Sequence, residues 1–154
     1  MMRRIAILVG TAALLAGMTV PFVHARDTSG SGNPKRIIKV KQVPKSFVST
    51  NVDVAPKGFG AGDYYVFHIR LQNLKGVPIG LTDGQCTAIV IEKKVTRYQC
   101  LVVETLQHGT IIHDGIFIPN TVSRFTIIGG TGDYFGAGGE AIYQAPNLEF
   151  RLSN

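Results

Sequence analysis

The glycine-rich segment at residues 127–140 constrains the fold of this chain more than any other feature. An apolar stretch runs into Gly129, Gly130 and Gly132, and further glycines precede a second strand-like stretch. Glycine at this density indicates a backbone that needs positive φ or close approach to a neighbour. The spacing fits neither the dinucleotide-binding fingerprint nor the P-loop, and no helical periodicity follows that could hold a phosphate. The segment therefore predicts a tight corner between two barrel strands, with these three glycines as its structural residues.

Alternation of residue types predicts about eight strands and no helix. The clearest case is residues 63–71, where Tyr65, Phe67, Ile69 and Leu71 share one face. The other strand-like segments are residues 46–54, 79–91, 97–107, 110–118, 122–128, 139–144 and 148–152. Short turns separate them, which favours up-and-down connectivity, and closing the sheet removes its edges. We expect an all-β fold, a small antiparallel eight-stranded up-and-down β-barrel of the calycin-like type with an apolar cavity.

The first residues of the chain predict export. Two arginines precede an apolar run over residues 5–23, and a small-residue pattern ends at Ala25. This is typical of a signal peptide, residues 1–25, that is cleaved after Ala25. Because the apolar run is long for a signal, an uncleaved N-terminal anchor is the alternative. The mature protein is expected to be secreted or periplasmic, without stable membrane insertion, and to form one domain.

Residues 26–45 are predicted to be a flexible basic arm that precedes a barrel domain at residues 46–154. The arm begins with a Ser/Gly-rich stretch. It then carries much of the net charge of +6, on Lys35, Arg36, Lys39, Lys41 and Lys45. No aromatic residue stands among these charges, so nucleic acid is not an expected partner. Attraction to an anionic cell-surface polymer is a weaker alternative to a simply solvated arm.

Cys86 and Cys100 are predicted to form a disulfide. They lie at equal distances on either side of Lys93, the centre of a predicted hairpin turn. This symmetry places them opposite each other in an antiparallel pair, within disulfide reach. An exported protein meets an oxidising compartment. The competing interpretations are a zinc site, for which the chain lacks nearby histidines, and a catalytic thiol, which leaves the second cysteine unexplained.

Glu104 is the candidate catalytic residue. On residues 97–107 the more apolar face carries Tyr98, Cys100, Val102, Glu104 and Leu106, so this face is expected to point into the barrel. A carboxyl group aimed into an apolar cavity suits general acid or base work. The alternative is that Glu104 lies near the barrel mouth and is simply hydrated, since an error of one residue in register reverses the face.

The remaining polar residues suggest no further chemistry. His68, His108 and His113 are expected on the surface, and the last two are too poorly arranged to share a metal, so no metal or other cofactor is expected. Asp63 and Asp133 follow glycines and are expected to cap turns. The sequence has no Gly-x-Ser-x-Gly motif and no paired carboxylates at glycosidase-like spacing.

Taken in order, the landmarks of the chain resemble those of the allene oxide cyclase barrel family, within the allene oxide cyclase and dirigent superfamily, most closely its exported bacterial members. The landmarks are Gly62-Asp63, Phe67, Gly76, Gly80, Gly84, Cys86, Cys100, Gly109, Gly115 and Gly129-Gly130-Thr131-Gly132. They cover roughly residues 47–152. The resemblance implies an elongated apolar cavity, assembly as trimers, and a shaped, dry pocket that cyclises or couples a small molecule by limiting its conformations.

Individual positions support only part of this resemblance. Phe67 matches an aromatic residue that lines the cyclase pocket, and Cys86 matches a cysteine there. The glutamate of the plant enzymes' first barrel strand has no counterpart in residues 49–53, and Ile69 replaces their asparagine. These departures argue against true allene oxide cyclase activity.

The sequence therefore supports two functions. In the first, the exported barrel binds a hydrophobic small molecule among Phe67, Ile69 and Val102 and steers its cyclisation or coupling. The alternative is a non-catalytic exported barrel that binds a ligand or serves as a surface interaction module. An open cavity of ligand size with Glu104 on its wall favours the first, whereas an interior filled by large side chains excludes it.

Overall fold

The protein, seen here in a computed structural model, is described for residues 33–54, 56–91 and 96–153. That part of the chain holds nine strands: β1 (Arg36–Gln42), β2 (Val48–Val52), β3 (Tyr64–Gln72), β4 (Pro78–Ile91), β5 (Thr96–Leu106), β6 (Gly109–Phe117), β7 (Ser123–Gly130), β8 (Gly139–Gln144) and β9 (Asn147–Leu152). The predicted signal peptide and the predicted hairpin centre at Lys93 lie outside the described residues.

The strands form one antiparallel sheet that closes into a barrel. From β2 to β9 each strand pairs with the next one in sequence. Closure comes from β1, which pairs with β9 from Arg36 to Lys41 and with the end of β3 through Lys41 and Gln42. The closed barrel has eight strands, and β2 adds to it by pairing along β3 alone. The predicted eight-stranded up-and-down β-barrel is therefore confirmed.

Strand β1 corrects the prediction of a flexible arm at residues 26–45. Residues 36–42 are a barrel strand, with Ile38 and Val40 on its inner face and Lys39 outside beside Glu149 on β9. Val40 is 1% exposed and lies opposite Leu148. Lys39 and Lys41, two of the lysines that suggested a solvated arm, are on the outward face of this alternating strand, so the barrel begins before residue 46.

The end of the barrel opposite the cavity mouth is filled by side chains. Leu106, Ile111 and Leu152 are buried there with Tyr134, which stands on a short 3₁₀ turn, Gly132–Tyr134, after β7. Arg36 lies over the Tyr134 ring, 5.1 Å from its centroid. This packing leaves the space inside the barrel open from the other end.

The glycine-rich corner connects β7 to β8. A Cβ on Gly130 would lie 2.4 Å from the carbonyl oxygen of Thr110. Gly132 has φ of +59°, and a Cβ there would lie 2.1 Å from the carbonyl oxygen of His108. Side chains are excluded at both positions because the chain passes directly over the β5–β6 turn. Gly129 differs, since nothing lies within 4 Å of the place where its Cβ would be.

The predicted disulfide between Cys86 and Cys100 is present. The two residues are direct partners in the β4–β5 pairing, and both are 2% exposed on the inner face of the barrel. The bond joins the two longest strands of the sheet at the wall of the cavity. Among the residues that the structure describes, no helix has the length and hydropathy needed to span a bilayer.

Candidate ligand-binding cavity

A cavity of about 740 Å³ occupies the barrel interior. Its wall is largely apolar and includes the three residues predicted to line it, Phe67, Ile69 and Val102. Pro119 and Pro146, from the β6–β7 and β8–β9 turns, lie at its outer end. A volume of this size accommodates a small organic molecule. The interior is therefore open, as the first of the two functions drawn from the sequence requires.

A continuous series of aromatic rings surrounds the outer part of the cavity. Neighbouring rings lie with centroids 5.5 to 6.2 Å apart in the order Phe47, Phe67, Tyr65, Tyr98, Phe117 and Tyr143. The series draws on β3, β5, β6, β8 and the turn before β2. Rings in tilted and edge-on contact give the wall a fixed, apolar shape suited to a flat or unsaturated ligand.

Phe67 depends on a glycine behind it. Gly84 is its partner on β4, and a Cβ at Gly84 would lie 2.6 Å from the Phe67 ring. The ring therefore lies flat across the strand and leaves the barrel interior open. A larger residue at position 84 would push the ring into the cavity.

Glu104 lies deep in the cavity wall and holds a small polar network. Its carboxylate accepts a 2.5 Å hydrogen bond from the Thr82 hydroxyl at Oε2, and its Oε1 lies 3.1 Å from Nε2 of His113. Glu104 and Thr82 are at most 1% exposed, and His113 is 3% exposed. The alternative drawn from the sequence, that Glu104 lies hydrated near the barrel mouth, is therefore wrong.

His113 corrects the prediction that this histidine lies on the surface. Its ring packs against Phe125, with centroids 5.1 Å apart, and near Phe150. Its Nδ1 is buried without a hydrogen-bond partner among the described residues. The register of the β5–β6 hairpin could have predicted this position. Leu106 pairs with Gly109, so Val102 pairs with His113, and two directly paired residues lie on the same face of the sheet.

Burial changes the acidity of two tyrosines at the outer end of the cavity. The pKa of Tyr65 is raised to about 12, chiefly by burial and further by the neighbouring phenols of Tyr98 and Tyr143. Burial also raises the pKa of Tyr143. Both phenols therefore remain protonated at neutral pH and present O–H donors.

Asp63, His68 and His108 lie outside the cavity, whereas the polar residues Gln42, Ser49 and Asn51 are on its wall. Asp63 accepts hydrogen bonds from the backbone N–H groups of Val54 and Gly60, which is the turn-capping role expected for it. His68 pairs with Asp83 at 2.7 Å on the outer surface, and His108 is exposed in the β5–β6 turn. Within the described ranges, no three His, Cys, Asp or Glu residues are placed to share a metal ion.

Several solved structures share this fold. A pyocyanin demethylase superposes with a TM-score of 0.64 at 21% identity, over 76% of this chain and 99% of that one. A nonspecific heme-binding cyclase that catalyses [4 + 2] cycloaddition in neoabyssomicin biosynthesis gives 0.60 at 20% identity, over 80% and 70% of the two chains. The Diels–Alderase AbmU from Streptomyces koyangensis gives 0.57 at 16% identity, over 80% and 71%.

These likenesses establish the fold, that of small antiparallel β-barrels among which cyclases and Diels–Alderases are found. The sequence matches no protein-family model and no curated protein.

Proposed function

We propose that this barrel binds a largely apolar small molecule in its cavity and holds it in the conformation that leads to cyclisation or coupling. The observation that carries the proposal is the open cavity of about 740 Å³, with aromatic walls and the Glu104 network deep in its lining. Restricting a flexible substrate to a reactive conformation accelerates its reaction without covalent chemistry by the protein. The [4 + 2] cyclase and Diels–Alderase neighbours, and the resemblance to allene oxide cyclase and dirigent barrels, support this choice.

Glu104 and His113 are proposed as the acid–base pair of the site. They form the deep polar group of an otherwise largely apolar wall, and a ligand atom that reaches them meets a carboxyl group and an imidazole joined by a hydrogen bond. Such a pair can accept or donate a proton at a carbon or oxygen of the ligand. The disulfide in the cavity wall supports export as the setting in which the protein works.

A non-catalytic binding function is the second candidate. The observation that favours it is that both carboxylate oxygens of Glu104 already have protein partners, Thr82 and His113. In this case the network stabilises the cavity wall, and the ligand leaves the barrel unchanged.

Native mass spectrometry of the protein from its own host tests binding, and a pair of variants localises it. Val102→Phe narrows the cavity by placing a ring on its inner wall, whereas Leu101→Phe places the same ring on the outer face of β5, where Leu101 is 51% exposed. We expect equal amounts of a bound apolar compound on wild type and on Leu101→Phe, and clearly less on Val102→Phe. A compound retained equally by Val102→Phe and Leu101→Phe, or an empty wild-type protein, argues against cavity binding.

The recovered compound then separates the two functions. Extracts of the host are incubated with wild type, Val102→Phe and Glu104→Gln, and the products are compared by chromatography. Conversion of a precursor by wild type alone supports steering with Glu104 participating. Return of every compound unchanged supports the non-catalytic barrel.

A further inference from the structure

Three tyrosines converge at the outer end of the cavity. Tyr65 is near the start of β3, Tyr98 near the start of β5 and Tyr143 near the end of β8, and all three line the cavity. The rings of Tyr65 and Tyr98 meet edge to face at 5.5 Å, and Phe117 links Tyr98 to Tyr143 at 6.2 and 6.0 Å. The rings belong to three different strands but border one space.

The hydroxyl groups of these tyrosines have no hydrogen-bond partner among the described residues. In the part of the chain that the structure describes, none of the three donates to or accepts from another protein group, although all three residues are partly buried. The three hydroxyl oxygens remain accessible, so they can bond to a ligand or to water in the cavity. Each of the three phenol groups carries an O–H that can donate to a molecule in the cavity.

The donors stand far from the Glu104 network. Tyr98 and Glu104 lie on the same face of β5, six positions apart, which is about 20 Å along an extended strand. Between them that face presents the disulfide-bonded Cys100 and Val102, which offer no strong hydrogen-bonding group. Along β5 the cavity wall is thus apolar between the Tyr98 end and the Glu104 end.

We infer that the hydroxyls of Tyr65, Tyr98 and Tyr143 form a hydrogen-bond donor site for an acceptor oxygen of the ligand. The ligand class is an elongated, largely apolar and unsaturated molecule that carries a ketone, enol or similar oxygen at its outer end. This inference rests on the proposed binding function and adds to it the chemistry and orientation of the ligand. A donor site at this end also stabilises negative charge that develops on the oxygen during a reaction.

The test uses two fluorescent probes that differ only in the acceptor. One is prodan, a naphthalene with a propionyl group at one end and a dimethylamino group at the other; the second has a propyl group in place of propionyl. Affinities for both probes are measured for wild type, Tyr65→Phe, Tyr98→Phe and Tyr143→Phe. Tyr64→Phe is the matched control, because Tyr64 is on the other face of β3 and does not line the cavity.

Each of the three cavity variants is expected to weaken prodan binding by about 2- to 10-fold, the usual value of one neutral hydrogen bond, and to leave the propyl probe unchanged. Prodan emission is expected to shift to shorter wavelength as its carbonyl loses donors. Equal effects on both probes, or no effect on either, overturn the donor site while cavity binding stands. Failure of wild type to bind either probe, or an affinity that Val102→Phe leaves unchanged, overturns the proposed function together with this inference.

Discussion

Glu104 on β5 and His113 on β6 meet inside the barrel, with 3.1 Å between Oε1 and Nε2, and neither side chain is more than 3% exposed. They are diagonal neighbours, since Glu104 pairs with Ile111 and His113 pairs with Val102. The outer surface carries a contrasting pair, His68 and Asp83, in which both side chains are more than 40% exposed. The two carboxylate–histidine pairs differ in burial, so they should differ in what they contribute to stability.

Removing the buried carboxylate should cost far more than removing the exposed one. Glu104→Ala leaves the buried Thr82 hydroxyl and Nε2 of His113 without their shared partner, and we expect the free energy of unfolding to fall by about 3 kcal/mol. Asp83→Ala should change it by less than about 1 kcal/mol, because an exposed pair is screened by solvent. Urea unfolding of both variants measures the difference, and equal losses would contradict the buried network.

The Cys86–Cys100 bond should stabilise the barrel by restricting the unfolded chain. It closes a loop with a sequence separation of 14, for which loop entropy predicts about 3 kcal/mol. We expect the double variant Cys86→Ala/Cys100→Ala to unfold at correspondingly lower urea concentration than the oxidised protein. Intact mass provides the check, because reduction should add about 2 Da to wild type and nothing to the variant. An unchanged wild-type mass would show that the cysteines are free.

Substitution of Gly84 should act through Phe67. Gly84→Ala places a methyl group against the ring, and we expect a loss of about 1 to 3 kcal/mol in the free energy of unfolding. In a Phe67→Leu background the shorter side chain relieves the contact, so the same substitution should cost at least about 1 kcal/mol less. Gly129→Ala is the control, with open space at the Cβ position and an expected change within about 0.5 kcal/mol. Additive losses at positions 67 and 84 would contradict this packing.

Tyr65 should ionise about two pH units later than an ordinary tyrosine, at a pKa of about 12. A raised pKa means that the folded state holds the phenol proton more tightly than the unfolded state does. The stability this provides is complete below pH 10 and is lost as the pH rises from 10 through 12. Tyrosinate absorbance should show a late component that Tyr65→Phe removes, and the variant's stability should decline less over this interval. If Tyr65→Phe instead removes tyrosinate absorbance that appears near pH 10, the raised pKa of Tyr65 is refuted.

The local sequence pattern was sufficient to predict most of the inward-facing residues singled out in the barrel wall. Alternation in residues 63–71 and 97–107 placed Phe67, Ile69, Val102 and Glu104 on the inner face, where the structure has them. It failed at His113 because each strand was assigned its face separately, whereas the β5–β6 turn couples the faces of the two strands. It failed at residues 36–42 because a run of lysines suggested solvent, although Ile38 and Val40 alternate with them.

The sequence by itself determined the strand class, the inward faces of β3 and β5 and the pairing of two cysteines across one hairpin, since these depend on period-two patterns and short turns. Tertiary structure alone decided that β1 closes the barrel against β9, and that three tyrosines from distant segments border one space. Barrel closure depends on the stagger of all the strands together, and that stagger sets which residues meet across the interior.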